Sequence, residues 1–225
     1  IAIVDEDPKN QALLAELELF AATLGRGETS ATVVDVSALR YANGVLSANG
    51  EPVDLVYNRS TDFYFASASH RALRDAYLDG AAVVTPHPRA HALYADKSNL
   101  IRLSQRADAS LVPSCRPATR ELWPERKRYF FKPAAGYGSR GVYRGSKLTR
   151  RTWESLVADA TYVAQHYVPP SRRNVLVGAE HRALKFDVRA FTYAGRVLML
   201  AARLYRGQAM NLSTDGGGFA PVVVV

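Results

Sequence analysis

The chain has 225 residues, and its composition of 48% hydrophobic and 22% charged residues is typical of a globular protein with one large or two small domains. Its one cysteine, Cys115, excludes an intrachain disulfide, and the short apolar runs argue against a membrane span, so we expect a cytoplasmic protein with no membrane partner. The net charge of +8 is uneven: residues 1–95 hold 7 Lys and Arg against 12 Asp and Glu, whereas residues 96–225 hold 22 against 9. The basic second half favours an anionic partner, either a nucleotide triphosphate or a nucleic acid.

The first half of the chain alternates strand and helix patterns. The opening "IAIV" predicts a buried strand, and apolar residues then repeat at helical spacing over residues 13–24, before a C-cap at Gly25. Further strands are predicted in "ATVVDV", "DLVYNR" and "AAVVTP", a helix in "SHRALRDAYLDG", and a small hairpin around Asn49-Gly50. This alternation predicts a small parallel α/β layer.

The second half has a different pattern. It begins with a helical segment over residues 89–107 and a proline-spaced connector. Strand patterns in "RYFFKP" and "GVYRG" then flank a glycine-rich segment, followed by a helix in "TRRTWESLVAD" and a strand in "TYVAQHYV". Residues 181–207 alternate as paired strands around an Ala194-Gly195 turn.

The glycine-rich segment contains Gly136, Gly138 and Gly141 in the spacing G-x-G-x-x-G. A dinucleotide-binding fingerprint requires a helix to open at the third glycine, whereas residues 142–144 continue as a strand. The Rossmann interpretation is therefore rejected. Two alternatives stay open: a plain β-hairpin that uses glycine for its turn, or a loop that lies over a phosphate chain, with Lys132 on the incoming strand.

Taken in order, several segments between residues 83 and 221 resemble the ATP-grasp superfamily. They are "VVTPHPRAHALYADKSNLIRL", "FFKPAAGYGSRGV", "YVAQHYV", "DVRAF", "AARLYRG" and "NLSTDGGG". The resemblance implies an α/β (α+β) fold: a small parallel pre-ATP-grasp domain over residues 1–95, then a two-lobed ATP-grasp domain with antiparallel sheets over residues 96–225. Its lid lobe would span about residues 115–165 and its second lobe about residues 166–225, and we expect this domain to be incomplete.

The resemblance also implies which residues bind and activate ATP. Lys97 and Lys132 match the two lysines that grip the α- and β-phosphates. The residues matched to the rest of the nucleotide site are Gly136, Gly138, Ser139 and Gly141 in the loop, Gln165, His166, Tyr167 and Val168 in the hinge that holds adenine, and Asp187. The residues matched to catalysis near the terminal phosphate are Arg189, Arg203 and Asn211.

The expected metal site is the point at which the sequence departs from the superfamily. Members bind Mg²⁺ through an acidic strand residue and an E-x-N motif after the double glycine, and this sequence stops before such a segment. Asp187 lies too early for that role, so we assign no metal ligand here. The chain is either truncated or, as we favour, similar to a circularly permuted ATP-grasp protein in which the E-x-N strand precedes Ile1. Magnesium is then a cofactor whose ligands lie outside this segment.

The resemblance implies an ATP-dependent carboxylate–amine (or thiol) ligase that acts through an acyl phosphate. Its substrates would be a small-molecule carboxylate and an amine. The alternative is a non-catalytic nucleotide-binding module or sensor with a basic docking surface. Nucleic-acid binding is disfavoured, because basic and aromatic residues do not gather into a stacking platform. The sequence defines neither the acid and amine nor the oligomeric state.

Two further groups of polar residues have open interpretations. Candidates for the acceptor site lie at the ends of two of the predicted strands. They are Asp5, Glu6 and Asp7 after the first strand, and Asn58, Arg59 and Asp62 at and after the end of "DLVYNR". Helix capping and stabilisation of a helix dipole explain the acidic ones equally well. His87 and His91 are four residues apart, and without a visible third ligand we interpret them as structural.

Overall fold

The structure is a computed structural model that describes residues 1–11, 13–106, 108, 112–207 and 216–223. The chain forms two compact units, Ile1–Ala95 and Asp96–Val225. Within the described residues, no helix combines the length and apolar character needed to cross a membrane.

The first unit contains a parallel sheet with helices and a small antiparallel sheet. In chain order its elements are β1 (Ala2–Asp5), α1 (Leu14–Leu24), β2 (Thr32–Asp35), β3 (Leu39–Ala42), β4 (Val45–Ala48), β5 (Glu51–Pro52), β6 (Leu55–Asn58), α2 (Arg71–Leu78), β7 (Val83–Thr85), α3 (Pro88–Ala90) and a π-helix (His91–Ala95). Short 3-10 helices cover Pro8–Asn10, Val36–Ala38 and Ala68–His70.

The parallel sheet has the strand order β2-β1-β6-β7. Its inner strand β1 is buried along its whole length, as a continuous apolar run between two neighbours requires. The core of this unit joins the sheet to α2 through Leu73 and Ala76, both fully buried. The parallel α/β layer predicted from the alternating pattern is therefore present.

The small antiparallel sheet, β3-β4-β5, contains one strand more than the sequence patterns indicated. The predicted turn at Asn49-Gly50 joins β4 to β5, and a second Asn-Gly turn at Asn43-Gly44 joins β3 to β4. Both residues of each turn have positive φ, which is the conformation that asparagine and glycine adopt in tight hairpin turns. The same dipeptide signal thus marks both hairpins.

The second unit contains two antiparallel four-stranded sheets. Its elements are α4 (Asn99–Leu103), β8 (Cys115–Pro117), β9 (Tyr129–Pro133), β10 (Tyr143–Arg144), α5 (Arg150–Ala158), β11 (Tyr162–His166), β12 (Ser171–Val177), β13 (Glu180–Tyr193), β14 (Arg196–Tyr205) and β15 (Gly218–Pro221), with 3-10 helices at Arg120–Leu122, Arg126–Arg128 and Gly145–Lys147. The strand orders are β10-β9-β11-β8 and β12-β13-β14-β15. The predicted fold class, a parallel α/β layer followed by antiparallel sheets, is confirmed.

Alternation along β9 determines which of its side chains point away from the hydrophobic core and can contribute to a binding site. Tyr129 and Phe131 are buried in the core of the first antiparallel sheet, where Phe131 meets Trp153 of α5 edge-on at 5.0 Å between ring centroids. Because successive strand residues point to opposite faces, Phe130 and Lys132 point to the other face of the sheet. The hydrophobic core of this unit therefore orients the strand lysine.

The helical segment predicted over residues 89–107 is interrupted in the structure. The π-helix ends at Ala95 and α4 begins at Asn99. Between them the Asp96 carboxylate accepts the backbone N–H of Ser98 at 2.8 Å, and the backbone N–H of Lys97 donates to the Ala134 carbonyl at 3.0 Å. These two bonds, one local and one long-range, replace helical ones and turn the chain at Lys97.

Candidate functional site

The second unit contains a cavity of about 440 Å³ that is lined by residues from both antiparallel sheets and from the glycine loop. Its lining residues are Lys97, Pro113, Phe130, Lys132, Pro133, Gly136, Tyr137, Gly138, Ser139, Arg140, Val142, Gln165, His166, Val168, Asp187, Arg203 and Tyr205. The cavity thus gathers ten of the fourteen residues that the sequence predicted for the nucleotide and catalytic sites.

Lys132 lies on β9 and reaches into the cavity from the face opposite the core. Its Nζ donates to Oε1 of Gln165 on the neighbouring strand β11. Burial lowers the pKa of the Lys132 ammonium, and the positive charge of Lys97 lowers it further. A partly buried cation of this kind gains more from an incoming phosphate than an exposed lysine does, since less water screens the interaction.

Lys97 approaches the cavity from the turn before α4. Its Nζ donates to the Gly136 carbonyl at 2.6 Å and to the Ala134 carbonyl at 3.4 Å, so it holds the first residues of the glycine loop. Burial lowers the pKa of this lysine as well, and the nearby Asp96 carboxylate opposes that shift. Both predicted lysines therefore line the same cavity with depressed pKa values.

The glycine loop connects β9 to β10, which pair as an antiparallel hairpin. Gly138, Ser139 and Gly141 have positive φ, a conformation that suits glycine. At Gly136 an added Cβ would lie 2.7 Å from Cγ of Pro133. The hairpin interpretation is correct for the two strands, and the loop between them also lines the cavity, so the two alternatives for this motif are compatible.

The hinge, residues 165–168, begins with the last two residues of β11 and contributes Val168 to an apolar side of the cavity. The backbone N–H groups of His166 and Tyr167 donate to the carbonyls of Ser114 and Arg128, at 2.8 and 2.7 Å. Gln165, His166 and Val168 line the cavity together with Phe130. A flat aromatic ligand would find carbon surface from Phe130 and Val168 there.

The second antiparallel sheet contributes an ion pair to the cavity. Asp187 on β13 and Arg203 on β14 are cross-strand partners, and the Arg203 Nε and Nη2 groups donate to the two Asp187 carboxylate oxygens at 2.7 and 2.8 Å. Arg189 lies two residues after Asp187 on the same face of β13 and is not the residue that pairs with it. Residues two apart on a strand share a face, but a directly opposite residue comes closer.

Three of the predicted residues that the structure describes fall outside the lining of the cavity. The Tyr167 ring packs against Phe130 at 5.5 Å and lies under the Arg144 guanidinium at 4.5 Å. Gly141 lies close to Tyr162, whose hydroxyl would be 3.0 Å from an added Cβ. Arg189 pairs with Ala201, two cross-strand pairs beyond Asp187 and Arg203, and Asn211 lies outside the described residues.

Several lining residues were missed by sequence reasoning. Phe130 lies two positions before Lys132, so period-two alternation on β9 gave a signal that would have found it. Arg140 and Tyr137 lie in the glycine loop, where the Arg140 Nη1 donates to the Tyr137 hydroxyl at 2.9 Å. Tyr205 lies two positions after Arg203 on β14, so the same alternation would have found it, whereas Pro113 comes from a segment with no local signal.

The polar residues at the strand ends of the first unit make local structural contacts. The Asp62 carboxylate accepts the backbone N–H groups of Ala66 and Ser67 at 3.0 and 2.7 Å, and the Arg59 guanidinium pairs with Glu16 at 3.1 Å. These contacts favour the structural interpretation.

The buried side chain of His70 lies next to these residues. Its Nε2 is 3.0 Å from the Ser60 hydroxyl, and its Nδ1 is 3.6 Å from the Asp62 carboxylate and 2.7 Å from the Ser67 hydroxyl. The arrangement resembles a serine–histidine–aspartate set, but His70 is 0% and Ser60 4% exposed. A substrate has no access to a serine that is buried to this extent, so we interpret the network as structural.

The described residues do not fit a magnesium site. Of the described residues that line the cavity, one is acidic, and both oxygens of that residue, Asp187, accept hydrogen bonds from Arg203. The described ranges contain no group of three or more His, Cys, Asp or Glu residues placed to hold a metal ion. His87 instead caps α3, since its Nδ1 accepts the Ala90 N–H at 3.2 Å.

No family model matches the sequence, and no curated protein matches it significantly. Among solved structures, a RimK-domain ATP-grasp protein from Sphaerobacter thermophilus is 16% identical with a TM-score of 0.45, covering 82% of this chain and 72% of that one. The ATP-grasp ligase PsnB, complexed with a phosphomimetic variant of a minimal precursor, Mg and ADP, is 18% identical with a TM-score of 0.48, covering 95% and 79%.

The D-cycloserine synthetase DcsG is 18% identical with a TM-score of 0.43, covering 74% of this chain and 59% of that one. The names of the first two proteins describe them as ATP-grasp proteins, the superfamily that the sequence motifs resemble. Because these TM-scores lie below 0.5, the proposals that follow depend on the residues of this chain.

Proposed function

We propose that this chain is an ATP-dependent carboxylate–amine or carboxylate–thiol ligase of the ATP-grasp type. The observation that carries the proposal is the single cavity that gathers two lysines of depressed pKa, a glycine loop, an apolar hinge and the Asp187–Arg203 pair. A nucleoside triphosphate has the matching parts, namely a flat base and a chain of negative charges.

The roles follow from the positions of the residues. The hinge from Gln165 to Val168 would hold adenine beside Phe130, while Lys97 and Lys132 neutralise the phosphates under the glycine loop. Arg203 would face the terminal phosphate with the guanidinium N–H groups that Asp187 leaves free. The closed loop would exclude water from a reactive acyl phosphate.

The reaction has two steps. A carboxylate oxygen attacks the γ-phosphorus of ATP, the bond from that phosphorus to the β,γ-bridging oxygen breaks, and ADP leaves. An amine nitrogen or thiol sulfur then attacks the acyl carbon, phosphate leaves with the electron pair of the C–O bond, and the nucleophile loses a proton to solvent. The residues of this chain act by positioning and by neutralising charge. Magnesium, with ligands outside the described residues, would supply further charge neutralisation when bound.

The first test is a calorimetric titration of the whole chain with ATP, with and without Mg²⁺, beside Lys132→Ala. We expect saturable binding at one site that weakens about a hundredfold in the variant, because a buried charge-assisted contact is lost. Lys127→Ala is the matched control, since Lys127 is exposed and lies outside the cavity. Absence of ATP binding to the wild-type chain, or an equal loss in both variants, would contradict the proposal.

Turnover separates the ligase from the alternative function. ADP release that depends on an added acid and amine identifies a ligase. Saturable ATP binding without ADP release, in the presence of Mg²⁺ and a panel of acids, favours the nucleotide-binding module or sensor instead. Low-salt association with acidic partners would then become the property to measure, because 22 of the 29 Lys and Arg residues lie after residue 95.

A further inference from the structure

One face of the second antiparallel sheet changes from charged to apolar along its length. The cross-strand register groups this face into four successive sets, which are Lys185 with Tyr205, Asp187 with Arg203 and Phe219, Arg189 with Ala201 and Pro221, and Phe191 with Met199. Members of successive sets are two residues apart on each strand, about 7 Å along the chain. Ligand groups that follow this face therefore meet the four sets in order.

The hinge lies at the Lys185 and Tyr205 end of this face. The Arg144 guanidinium covers the Tyr167 ring of the hinge at 4.5 Å, and the charge of Arg144 also reaches Lys185. The cavity proposed for the nucleotide includes Tyr205, Asp187 and Arg203 and does not extend to the Arg189 set. With adenine at the hinge, the terminal phosphate points towards Arg203, and the next set along the face is that of Arg189.

Beyond Arg203 lies a second cavity of about 790 Å³ with an apolar lining. Its aromatic and methionine side chains are solvent-exposed: Phe191 is 37%, Met199 54% and Phe219 55% exposed. The Arg189 guanidinium carbon is 5.8 Å from the Phe191 ring centroid and 5.9 Å from that of Phe219, so a cation lies at the edge of this cavity.

Arg189 and Arg203 differ in whether an acidic side chain pairs with the guanidinium. Both carboxylate oxygens of Asp187 accept from Arg203. Within the described ranges, no acidic side chain forms an ion pair with Arg189, and its side chain is exposed. The positive charge next to the apolar cavity is therefore available to an incoming anion.

We propose that the apolar cavity binds the body of the carboxylate substrate, which is an aryl or branched aliphatic acid, and that Arg189 binds its carboxylate. This inference depends on the proposed ligase function and specifies its acid. A small apolar acid has two parts that fit this site. Its single carboxylate would bind Arg189, and its carbon body would pack over Phe191 and Met199. A second charge on the acid would lose its water against this lining without gaining a partner.

The test measures binding of two acids by ligand-observed NMR, on the whole chain saturated with a non-hydrolysable ATP analogue. The probes are 3-phenylpropanoate and succinate. We expect 3-phenylpropanoate to bind at least about tenfold more tightly than succinate. Met199→Asp should weaken 3-phenylpropanoate by about tenfold or more, because it places a charge in the cavity. Arg189→Gln should weaken it similarly, with no change in nucleotide affinity.

Val188→Asp is the matched control. Val188 is 52% exposed, close to Met199 in exposure, and it precedes Arg189 on the opposite face of β13. It should leave both nucleotide and acid binding unchanged. Equal losses from Val188→Asp and Met199→Asp would overturn the assignment of the acid to this face.

The outcomes distinguish the inference from the function on which it depends. Nucleotide binding together with a preference for succinate, or with no binding of 3-phenylpropanoate, overturns the inference and leaves the nucleotide site intact. Failure of the nucleotide itself to bind overturns the proposed function, and the inference falls with it.

Discussion

At the scale of single residues, the site depends on how each charge is held. Lys132 is oriented by strand alternation and contacts Gln165, while Lys97 holds the loop carbonyls of Ala134 and Gly136. Arg203 is fixed by two hydrogen bonds to Asp187. Each cation thus has a partner that sets its orientation before any ligand arrives, which lowers the ordering cost of binding.

If the cavity binds ATP as proposed, the depressed lysine pKa values give the ATP affinity a dependence on pH. The protonated lysines bind phosphate, so affinity is full below their pKa in the folded protein and falls as pH rises through it. Because burial lowers the pKa of Lys132 and of Lys97, we expect the fall to begin below the ordinary lysine value of 10.5. The measurement is the ATP dissociation constant between about pH 7 and pH 10.

Lys132→Arg is the control for this pH dependence, because a guanidinium keeps its charge over the whole range. Its profile should be flatter, with the remaining slope due to Lys97. A wild-type affinity that stays constant over the range would contradict the predicted dependence.

Arg203→Lys tests the arginine beside the terminal phosphate. An ammonium cannot keep the two-point contact with Asp187 and also face a phosphate, so ATP affinity should fall by about tenfold. AMP, which lacks that phosphate, should bind the variant and the wild type equally. Calorimetric titration with both nucleotides checks this, and an equal loss for AMP would place Arg203 elsewhere along the ligand.

At the scale of elements, the hairpin β9–β10 connects the core to the site. Buried Phe131 fixes the strand, and the loop that follows lines the cavity. The chain then passes Gly145, which begins a 3-10 helix and packs against the backbone of the preceding 3-10 helix. An added Cβ at Gly145 would lie 1.7 Å from the Arg126 carbonyl oxygen, so this position requires glycine because of close backbone approach.

Gly145→Ala should therefore destabilise the second unit. The clash is with backbone and cannot be relieved by rotating a side chain, so we expect a loss of about 3 kcal/mol in the free energy of unfolding. Urea denaturation followed by tryptophan fluorescence measures it, because the two tryptophans, Trp123 and Trp153, both lie in this unit.

Gly178→Ala is the matched control for the effect of close packing. Gly178 has φ of +61° and no atom within 4 Å of an added Cβ, so only the left-handed backbone cost applies, about 1 kcal/mol. Equal losses in the two variants would show that the contact with Arg126 is not what makes Gly145 necessary.

At the scale of the whole molecule, the charge asymmetry follows the two compact units. The acidic excess lies within Ile1–Ala95, and the basic excess lies within Asp96–Val225, the unit that contains the cavity. In the first unit, the fully buried His70 side chain lies within hydrogen-bond distance of the Ser60 and Ser67 hydroxyl groups. The unit with the positive charge is therefore also the unit with the cavity for an anion.

Hydrogen exchange with and without ATP tests this division. If the cavity alone is the nucleotide site, ATP should slow exchange in the glycine loop and in β11, with little change in β1 and β6. Strong protection confined to the first unit would contradict the assignment of the site to the second.

The sequence by itself predicted the four strands of the parallel sheet, the β9–β10 hairpin and the candidate-site residues that lie in continuous motifs, but not β3, β8, β12 or β15. Period-two alternation, Asn-Gly turns and the lysine and glycine segment are local signals, because side-chain direction and turn conformation depend on neighbours along the chain. Ten of the predicted residues consequently line one cavity.

Only the tertiary structure decided which charges meet. Asp187 pairs with Arg203 rather than Arg189 because strand register places the first two directly opposite each other. The turn at Lys97 forms because its backbone bonds to Ala134, 37 residues away, which no helical pattern can reveal. Register and long-range pairing are set by packing of the whole sheet, so a reading of local patterns cannot supply them.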